Sequence, residues 1–397
     1  MTAMLTHFKG DRTLWILILI LMLCSLPLIY SATGQLAYRQ YQGNTESALV
    51  AHAVKLGIGL GLILLVHRIP YGWWGKLASI GHYLAGALLV FTLFFGQNIN
   101  EATRFVEIPV VRIRFQASDL ARWLMILNLA RGLTLLGDRI KTFRGGWDRL
   151  LAGLLIVCGL IAPENLSTAA MMLAVGLGMI AVAGARLRHL VALVAVVVLV
   201  VGSCLALASW LDLPLPGRAK VWAQRIGSFT AESSGEEDYQ VVQAKIAVAQ
   251  GGIWGKGPGK SIQRNFLPHA YSDYMYAIVI EEYGLLGGAM VLILYLGLFY
   301  RIRKCALRCA TTFGSLLATG FGLAMMAQAM VNMAVSVNLM PVTGQTLPFI
   351  SHGGSSILIN ALAIGIVLSI SRDLTSEGDW SELDLQDHAA GKEVAYA

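Results

Sequence analysis

The chain has 397 residues, of which 56% are hydrophobic and 13% charged, with a net charge of +7 and a mean hydropathy of +0.65. A soluble protein of this size could not cover so apolar a composition with polar surface, so the composition excludes a soluble enzyme and indicates a membrane protein. The positive charge does not indicate nucleic-acid binding, because the basic residues lie in short loops between apolar segments and form no continuous face.

Apolar segments long enough to cross a bilayer recur along the chain. A hydrocarbon core of about 30 Å requires roughly 20 apolar residues in a helix. The predicted spans, about ten, are residues 14–31, 47–67, 73–95, 117–136, 149–163, 165–185, 189–210, 273–300, 311–333 and 353–371. The predicted fold class is therefore an all-α polytopic membrane protein, in which the first span is uncleaved because no small-residue cleavage site and soluble domain follow it.

The distribution of Lys and Arg predicts the orientation of the spans. With the N-terminus inside, the inner loops hold most of the basic residues, whereas the outer loops hold chiefly Arg39, Arg104, Arg112 and Arg114. Loops rich in Lys and Arg stay preferentially in the cytoplasm. We therefore expect an N-in/C-in arrangement.

Residues 1–372 are predicted to form one transmembrane domain, with a long extracytoplasmic loop, residues 211–272, between helices 7 and 8. This loop contains four prolines, many glycines and a predicted helix near Tyr239–Gln250. Long loops in compact membrane proteins are usually functional. Residues 373–397 form a polar, acidic tail that we expect to be disordered in the cytoplasm.

A glycine-rich basic sequence, GKGPGKS, occupies residues 255–261 of the long loop. It is not a Walker P-loop, because Trp254 stands where that spacing requires glycine and because ATP is absent outside the cell. Two interpretations remain open. The loop either binds a lipid-linked diphosphate through its amides and through Lys256 or Lys260, or forms a re-entrant turn without a ligand.

The segment 267–274 leads into the eighth span. Pro268 and Ser272 favour a helix start, which would place Asp273 in the first turn at the outer membrane boundary. The helix dipole stabilises a carboxylate there, so a structural role is one interpretation. Catalysis is the other, because ionisable groups at membrane depth are costly and tend to mark functional sites.

Two further outer segments are rich in polar residues. The first runs from EATRF at residues 101–105 to QASDLAR at residues 116–122. The second, TGQTLPFISHGGSS at residues 343–356, has no Lys, Arg, Asp or Glu but is dense in hydroxyls and glycine. Irregular backbone of this kind survives near lipid only where it is buried in protein or lines a cavity.

Taken together, five ordered motifs resemble those of the SEDS family (shape, elongation, division and sporulation), and most of all its division members. The family's motifs are approximately GARRW, QPSELxK, QPDxGT, GxGxGxSxQK followed by LPEAHTDF and GEExG, and TGxxLPFxSxGGSS. The corresponding sequences here, in the same order, are EATRF, QASDLAR, APENLST, GKGPGKSIQRNFLPHAYSDY with IEEYG, and TGQTLPFISHGGSS. The resemblance covers nearly the whole chain.

The chain departs from these motifs at several positions. The replacements are Ala117 for the family's proline, Asp119 for its glutamate, Arg122 for its lysine, His269 for a carboxylate and Tyr271 for a histidine. The family's aspartate is nevertheless present as Asp273. An aspartate retained among altered neighbours suits a catalytic group better than a helix cap.

The resemblance implies a peptidoglycan glycosyltransferase that polymerises lipid II, the undecaprenyl-diphosphate-linked disaccharide, outside the bacterial cytoplasmic (inner) membrane. A diphosphate leaves readily once its charge is neutralised, so this reaction does not need the two carboxylates of a glycoside hydrolase. We expect Asp273 to be the general base that deprotonates the acceptor's 4-hydroxyl, with inversion of an α-linked donor to a β-1,4 bond. Glu281 and Glu282 lie roughly 12 Å deeper, at about 1.5 Å per residue, so we expect a structural or coupling role for them.

The expected substrate-binding residues come from several segments. Cations stabilise developing phosphate charge, and the candidates are Arg104, Lys256, Lys260 and Arg264, completed by the hydroxyls of Ser261, Ser351 and Ser355. Arg122 is expected to pair with Asp273, and Lys55, near the outer end of the second span, either faces the cavity or snorkels. No ligand spacing specifies a metal, and a divalent cation (Mg²⁺ or Mn²⁺) at the diphosphate is compatible with the sequence.

The resemblance also implies partners. These are lipid II, the undecaprenyl-diphosphate-linked glycan, a class B penicillin-binding protein that acts as transpeptidase, and other divisome membrane proteins at the septum. Two alternatives stay open. A lipid II flippase would distribute polar residues through the membrane depth, and a noncatalytic scaffold recruiting the transpeptidase would tolerate loss of the Asp273 carboxylate.

Overall fold

The computed structural model describes residues 9–34, 45–95, 97–99, 102–108, 113–142, 147–210, 236–268 and 270–375. Within them, ten helices correspond to the ten predicted spans: α1 (Arg12–Ala32), α2 (Thr45–Val66), α3 (Gly72–Phe95), α4 (Ala117–Leu136), α5 (Trp147–Ile161), α6 (Leu166–Val182), α7 (Leu187–Trp210), α9 (Met275–Arg308), α10 (Thr312–Ser336) and α11 (Gly354–Thr375). Helix α8 (Glu236–Gly251) is the helix predicted in the long loop. The predicted fold class is confirmed.

By length and composition, six of these helices can cross a membrane, namely α1, α2, α4, α9, α10 and α11. Helix α11 ends at Thr375, two residues beyond the predicted start of the acidic tail at residue 373. The rest of that tail, residues 376–397, and the predicted loop residues 211–235 lie outside the described residues.

One small sheet was not predicted. Between α3 and α4, strands β1 (Gln97–Ile99), β2 (Ala102–Ile108) and β3 (Ile113–Gln116) form an antiparallel meander in the order β1-β2-β3. β-Branched and aromatic residues recur in β2 and β3, which suits strands. The sheet leads directly into Ala117, the first residue of α4.

Helices α10 and α11 occupy the centre of the bundle. Helix α10 packs against α4, α6, α9 and α11, whereas α11 also packs against α2, α4 and α9. At Gly320 of α10 the neighbours approach so closely that a Cβ would lie 2.7 Å from Ile126 of α4 and 2.7 Å from Met179 of α6. Small residues permit this close helix packing in membrane proteins.

A buried ion pair ties α1 to α9 at the end of the bundle opposite the long loop. Asp11 caps α1 by accepting the Thr13 N–H at 2.8 Å. The same carboxylate accepts two hydrogen bonds from Arg301, at 2.9 Å from Nε and 2.7 Å from Nη2. Because Asp11 is only 2% exposed, this bidentate pair fixes the start of α1 against the second half of α9.

Helix α9 is broken at Gly284, where φ is 70° and ψ is −172°. The backbone groups on both sides of the break bind a segment that we call the re-entrant loop, residues 251–264. Four bonds join them: Lys256 N–H to Glu281 O (3.0 Å), Gly257 N–H to Glu282 O (2.9 Å), Leu285 N–H to Gly252 O (2.9 Å) and Leu286 N–H to Ile253 O (3.3 Å). Since unpaired backbone groups are costly within a membrane, the break and the loop stabilise each other.

We expect Gly284→Ala to prevent stable folding. A Cβ at this position would lie 2.1 Å from the carbonyl oxygen of Ile253, and a φ of 70° is strained for alanine. Gly61→Ala in α2 is the matched control, because a Cβ there meets nothing within 4 Å. The measurement is the yield and melting temperature of monodisperse protein in detergent. Equal values for the two variants would contradict a structural role for the break.

Candidate active site

Asp273 lies just before α9, opposite the segment 337–353 that joins α10 to α11 and that we call the motif loop. Helix α9 begins at Met275 with Tyr274 as its N-cap, so Asp273 precedes the helix. The sequence had predicted Asp273 in the first turn, and that placement was wrong. The side chain is half-buried. Its Oδ2 atom faces Gly344, where a Cβ would come within 3.6 Å of it.

Hydrogen bonds from two directions hold the backbone around Asp273. Asn332 of α10 donates through Nδ2 to the Asp273 carbonyl at 2.9 Å and to the Gln345 carbonyl at 2.7 Å. From the motif loop, Ser351 donates its hydroxyl to the Ser272 carbonyl at 2.7 Å, and the His352 amide donates to the Tyr271 carbonyl at 2.8 Å. Ser351, predicted to bind substrate, therefore uses its hydroxyl to position the neighbour of Asp273.

The motif loop itself is held rigidly. Phe349 is buried and adopts a φ of 62°, an uncommon conformation for a bulky residue, which persists only where the surroundings determine it. On its N-terminal side, Tyr295 of α9 donates its hydroxyl to the Pro348 carbonyl. The loop thus provides a fixed surface against which Asp273 is placed.

Arg122 is buried in α4 and joins the motif loop through Gln328. Its Nη2 atom donates to Gln328 Oε1 at 3.0 Å and lies 3.7 Å from Asp119 Oδ1. Gln328 in turn donates to the Thr346 carbonyl at 2.9 Å and to the Ser356 hydroxyl at 3.1 Å. The structure therefore gives Arg122 the partners Asp119 and Gln328, and its predicted pairing with Asp273 stays a prediction.

Lys55 lies on the other side of the motif loop. It is the eleventh of the 22 residues of α2, so it lies near the middle of the helix. The sequence had placed it near the outer end. Its ammonium donates to His352 Nε2 at 3.1 Å, and a Cβ on Gly354, the first residue of α11, would lie 3.9 Å from its stem. This geometry agrees with the interpretation in which Lys55 faces the site.

His352 is a neutral imidazole in this arrangement. Burial, and then the electrostatic effect of the nearby Lys55 and His52, lower the pKa of His352 to about 3. Because an ammonium can only donate, Nε2 accepts and the ring proton resides on Nδ1. This Nδ1 is buried and has no hydrogen-bond partner among the described residues. The ring therefore carries an unused donor on the nitrogen that does not bind Lys55.

The predicted residues Lys256, Ser261 and Arg264 form a second cluster around two carboxylates of α9. Glu281 is fully buried and accepts from the Lys256 ammonium at 2.7 Å and from the Ser261 hydroxyl. The amides of Ile262 and Gln263 donate to the same carboxylate at 3.0 and 3.2 Å. The glycine-rich loop is thus an anion-binding loop, but its anion is a carboxylate of its own chain.

Glu282, the neighbouring carboxylate, links the re-entrant loop to α1. Its Oε1 atom accepts from the Ser31 hydroxyl and, at 3.3 Å, from the Ser261 amide. Arg264 donates to the Ser31 carbonyl and hydroxyl, both at 3.0 Å. These contacts agree with the re-entrant-turn interpretation and with a structural role for both glutamates.

The remaining predicted residues lie elsewhere. Lys260 is exposed on the re-entrant loop, and Ser355 is half-buried as the second residue of α11. Arg104 belongs to β2, and its side chain lies outside the described residues. The diphosphate contacts predicted for five residues stay predictions: Arg104, Lys256, Lys260, Ser261 and Arg264. The partners observed for Lys256, Ser261 and Arg264 do not favour these contacts.

Sequence analysis did not single out Gln328, Asn332 or His352. Gln328 and Asn332 are four residues apart, so they share one face of the apolar helix α10. Two amides at this spacing in a predicted span are a signal that could have found them. His352 occupies a position that the matched motif leaves variable, so the motif gave no signal for it. Among the described residues, no group of three His, Cys, Asp or Glu side chains is arranged to hold a metal.

Comparison with known proteins agrees with the motifs. The sequence model of the FtsW/RodA/SpoVE group, described as cell cycle proteins, matches residues 11–376. The chain belongs to this family. It is consequently a multi-pass membrane protein of the SEDS type, as the sequence predicted.

Named relatives of this family cover most of the chain. A probable peptidoglycan glycosyltransferase FtsW from Halomonas elongata is 30% identical over 364 residues, covering 90% of this chain and 89% of that protein. The FtsW of Coxiella burnetii, also described as a probable peptidoglycan glycosyltransferase, is 31% identical over 371 residues, with 90% and 95% coverage. Stage V sporulation protein E of Bacillus subtilis is 31% identical over 372 residues, with 91% and 97% coverage. The predicted similarity to FtsW is confirmed.

Solved structures share the fold. A chain of a peptidoglycan synthase complex, solved to explain the coordination of polymerization and crosslinking, superposes with a TM-score of 0.72 at 27% identity, covering 92% of this chain and 98% of that chain. The rod shape determining protein RodA of Thermus thermophilus superposes with a TM-score of 0.63 at 26% identity, covering 92% and 97%.

We expect Lys256→Met to lower stability, because it leaves the buried Glu281 carboxylate without its cation. Removing one partner of a buried ion pair costs on the order of 3 kcal/mol. The double variant Lys256→Met with Glu281→Gln should recover part of the loss, since the glutamine carries no charge. The measurement is the melting temperature in detergent for the wild type, both single variants and the double variant. A Lys256→Met protein as stable as the wild type would show that the pair is not structural.

Proposed function

We propose that this protein is a peptidoglycan glycosyltransferase that polymerises lipid II into β-1,4 glycan strands during cell division, with Asp273 as the general base. Family membership and the names of the relatives support the activity. The observation that carries the role of Asp273 is its placement. Its backbone is fixed by Asn332, and that of its neighbours by the motif loop, while its carboxylate faces Gly344 of the same loop.

The proposed reaction is a single displacement. The 4-hydroxyl of the acceptor sugar attacks the anomeric carbon of the lipid-linked donor, and Asp273 takes the hydroxyl proton as the new C–O bond forms. The bond between the anomeric carbon and the phosphate oxygen breaks, and the lipid diphosphate leaves with the electron pair. Attack from the face opposite the leaving group inverts the α-linked donor to a β-1,4 product.

One carboxylate suffices for this chemistry, and the structure supports the choice among three. Glu281 is saturated by Lys256, Ser261 and two amides. Glu282 is 1% exposed and lies between Ser31 and the Ser261 amide. Asp273 is half-buried at the motif loop, so it can reach a substrate hydroxyl.

The proposed orientation makes Asp273 and the motif loop face the outer side of the cytoplasmic membrane. The basic residues at the ends of α2 and α9, such as Arg68 and Arg303, would then face the cytoplasm. Lipid II is presented on the outer side, so this orientation brings substrate and base together. We further propose that the protein acts at the division septum.

We propose a class B penicillin-binding protein as partner, together with other divisome membrane proteins. The similarity to a chain of a peptidoglycan synthase complex that couples polymerization to crosslinking supports a transpeptidase partner in general. Such a complex would deliver each new glycan strand directly to the crosslinking enzyme.

A divalent cation, Mg²⁺ or Mn²⁺, at the diphosphate remains part of the proposal. The described residues offer no cluster of three His, Cys, Asp or Glu side chains that could hold a metal ion. The cation would bind mainly to the diphosphate and to water.

A lipid II flippase is the second candidate. The position of Lys55 midway along α2 favours it, because a flippase requires polar groups within the membrane depth. A flippase would move lipid II without forming polymer, which separates the two candidates experimentally.

We expect Asp273→Asn to lower the rate of lipid II polymerisation by about 10²–10⁴-fold, the usual contribution of a positioned base. Asparagine keeps the size of the side chain but cannot accept the proton. The measurement is glycan polymer formed from labelled lipid II by the protein purified with its transpeptidase. Asp138→Asn, at an exposed residue paired with Lys141 in a different loop, is the control and should polymerise like the wild type.

Each result of this assay has a distinct meaning. Normal polymerisation by a folded, partner-bound Asp273→Asn variant would show that Asp273 is not the base. A wild type that forms no polymer where a known polymerase does would favour the flippase or the scaffold.

A further inference from the structure

The ammonium of Lys55 has an unusual electrostatic environment. It is half-buried near the middle of α2 and contacts the neutral imidazole of His352. No carboxylate forms an ion pair with it within the part of the chain that the structure describes. A cation at this depth without a counter-charge is costly, so a bound anion would relieve the cost.

Further hydrogen-bond donors lie near this ammonium. One of the three Lys55 hydrogens binds His352 Nε2, which leaves two for a ligand. The Nδ1–H of His352 is buried and has no partner among the described residues. The stem of Lys55 also lies against Gly354, where α11 begins, and the first amides of a helix have no partner within it. The ammonium, the imidazole N–H and the helix amides together suit an oxyanion with several acceptor oxygens.

Two of the other predicted phosphate ligands, Lys256 and Arg264, are already engaged. Lys256 neutralises Glu281, and Arg264 binds Ser31, which in turn binds Glu282. Using Lys256 for a ligand would leave Glu281 buried without its cation. The two places therefore differ in charge. At the re-entrant loop Lys256 is paired with a carboxylate, whereas at the motif loop Lys55 has no carboxylate partner among the described residues.

We infer that Lys55 and His352 form the subsite for the diphosphate of the lipid-linked donor, an inference that rests on the proposed glycosyltransferase function. The subsite is close to Asp273, because the His352 amide binds the Tyr271 carbonyl at 2.8 Å and Tyr271 is two residues before Asp273. Two residues of extended chain span at most about 7 Å. Base and leaving group must lie on opposite sides of one anomeric carbon, so a subsite on the loop that binds the backbone beside Asp273 suits the leaving group.

The two side chains have different tasks in this subsite. Lys55 supplies the positive charge that stabilises the departing diphosphate, and its loss removes a charge-assisted hydrogen bond. His352 is neutral, so it orients the ammonium and adds one directional donor without repelling it. A histidine at a position that the family motif leaves variable is thereby given a role in binding.

The test is the affinity of a soluble probe, farnesyl diphosphate, for the purified full-length protein in detergent, measured by isothermal titration calorimetry. Lys55→Met should weaken binding about 10–100-fold, the usual effect of losing a charge-assisted hydrogen bond, whereas Lys55→Arg should retain most of the affinity. His352→Leu should weaken it by about three- to tenfold. Farnesol, which lacks the diphosphate, should bind all variants equally.

Three controls make the result specific. Lys76→Met removes an exposed lysine that lies over Trp73 at the start of α3, and this variant should bind the probe like the wild type. Lys256→Met tests the competing location at the re-entrant loop. A peptide carrying the carboxylates of a peptidoglycan stem tests whether the site selects carboxylates. Melting temperatures show whether each variant is folded, and Lys55→Arg keeps the test valid if Lys55→Met is not.

The outcomes separate this inference from the proposed function. Three results would overturn the subsite. The first is an unchanged affinity of Lys55→Met for farnesyl diphosphate, and the second is a loss of that affinity in Lys256→Met alone. The third is a Lys55 variant that changes the affinity for the peptide but not for the diphosphate. A wild type that polymerises lipid II but binds farnesyl diphosphate no better than farnesol would also overturn it, with the function intact. A Lys55-dependent diphosphate site in a protein without polymerase activity would support the subsite and contradict the function.

Discussion

The architecture of the site depends on how the chain satisfies the backbone groups exposed by the break in α9 at Gly284. The re-entrant loop supplies four backbone hydrogen bonds to the residues around this break. It also brings Lys256 and Ser261 to Glu281, whose carboxylate is fully buried. The loop, the break and the buried charge are therefore parts of one interaction. This interaction anchors the first half of α9 and with it the segment that carries Asp273.

Two positively charged regions with different charge balance follow from this arrangement. At the re-entrant loop, Lys256 is matched by Glu281 and Arg264 is bound to Ser31, so these two cations have partners without substrate, whereas Lys260 is exposed. At the motif loop, Lys55 contacts a neutral histidine, and no carboxylate pairs with it among the described residues. A negatively charged substrate is stabilised at the second region and would compete with an internal carboxylate at the first. The position of Asp273 beside the second region places the base where the leaving group would be neutralised.

Much of the fold could be predicted because hydropathy alone locates helices that face lipid, and the motifs identified Asp273 and the motif loop. The helix start at Asp273 was placed too early, because Pro268 and Ser272 satisfy local rules whereas the observed start at Met275 depends on the surrounding loops. The small sheet between α3 and α4 was missed for a similar reason, since its pairing is set by tertiary contacts. The glycine-rich loop shows most clearly what the sequence could not predict. Its chemistry predicts an anion, but only the three-dimensional structure shows that Glu281, 21 residues after Lys260, can be that anion.

The most direct test of the account is the structure of the Asp273→Asn protein with lipid II bound, determined by electron cryo-microscopy. The account predicts that the diphosphate lies within hydrogen-bond distance of the Lys55 ammonium and His352 Nδ1, about 2.7–3.2 Å. It also predicts that the residue 273 side chain points to the position where the acceptor hydroxyl attacks. A diphosphate bound at Lys256, Lys260 and Arg264, with the sugar remote from residue 273, would contradict the account.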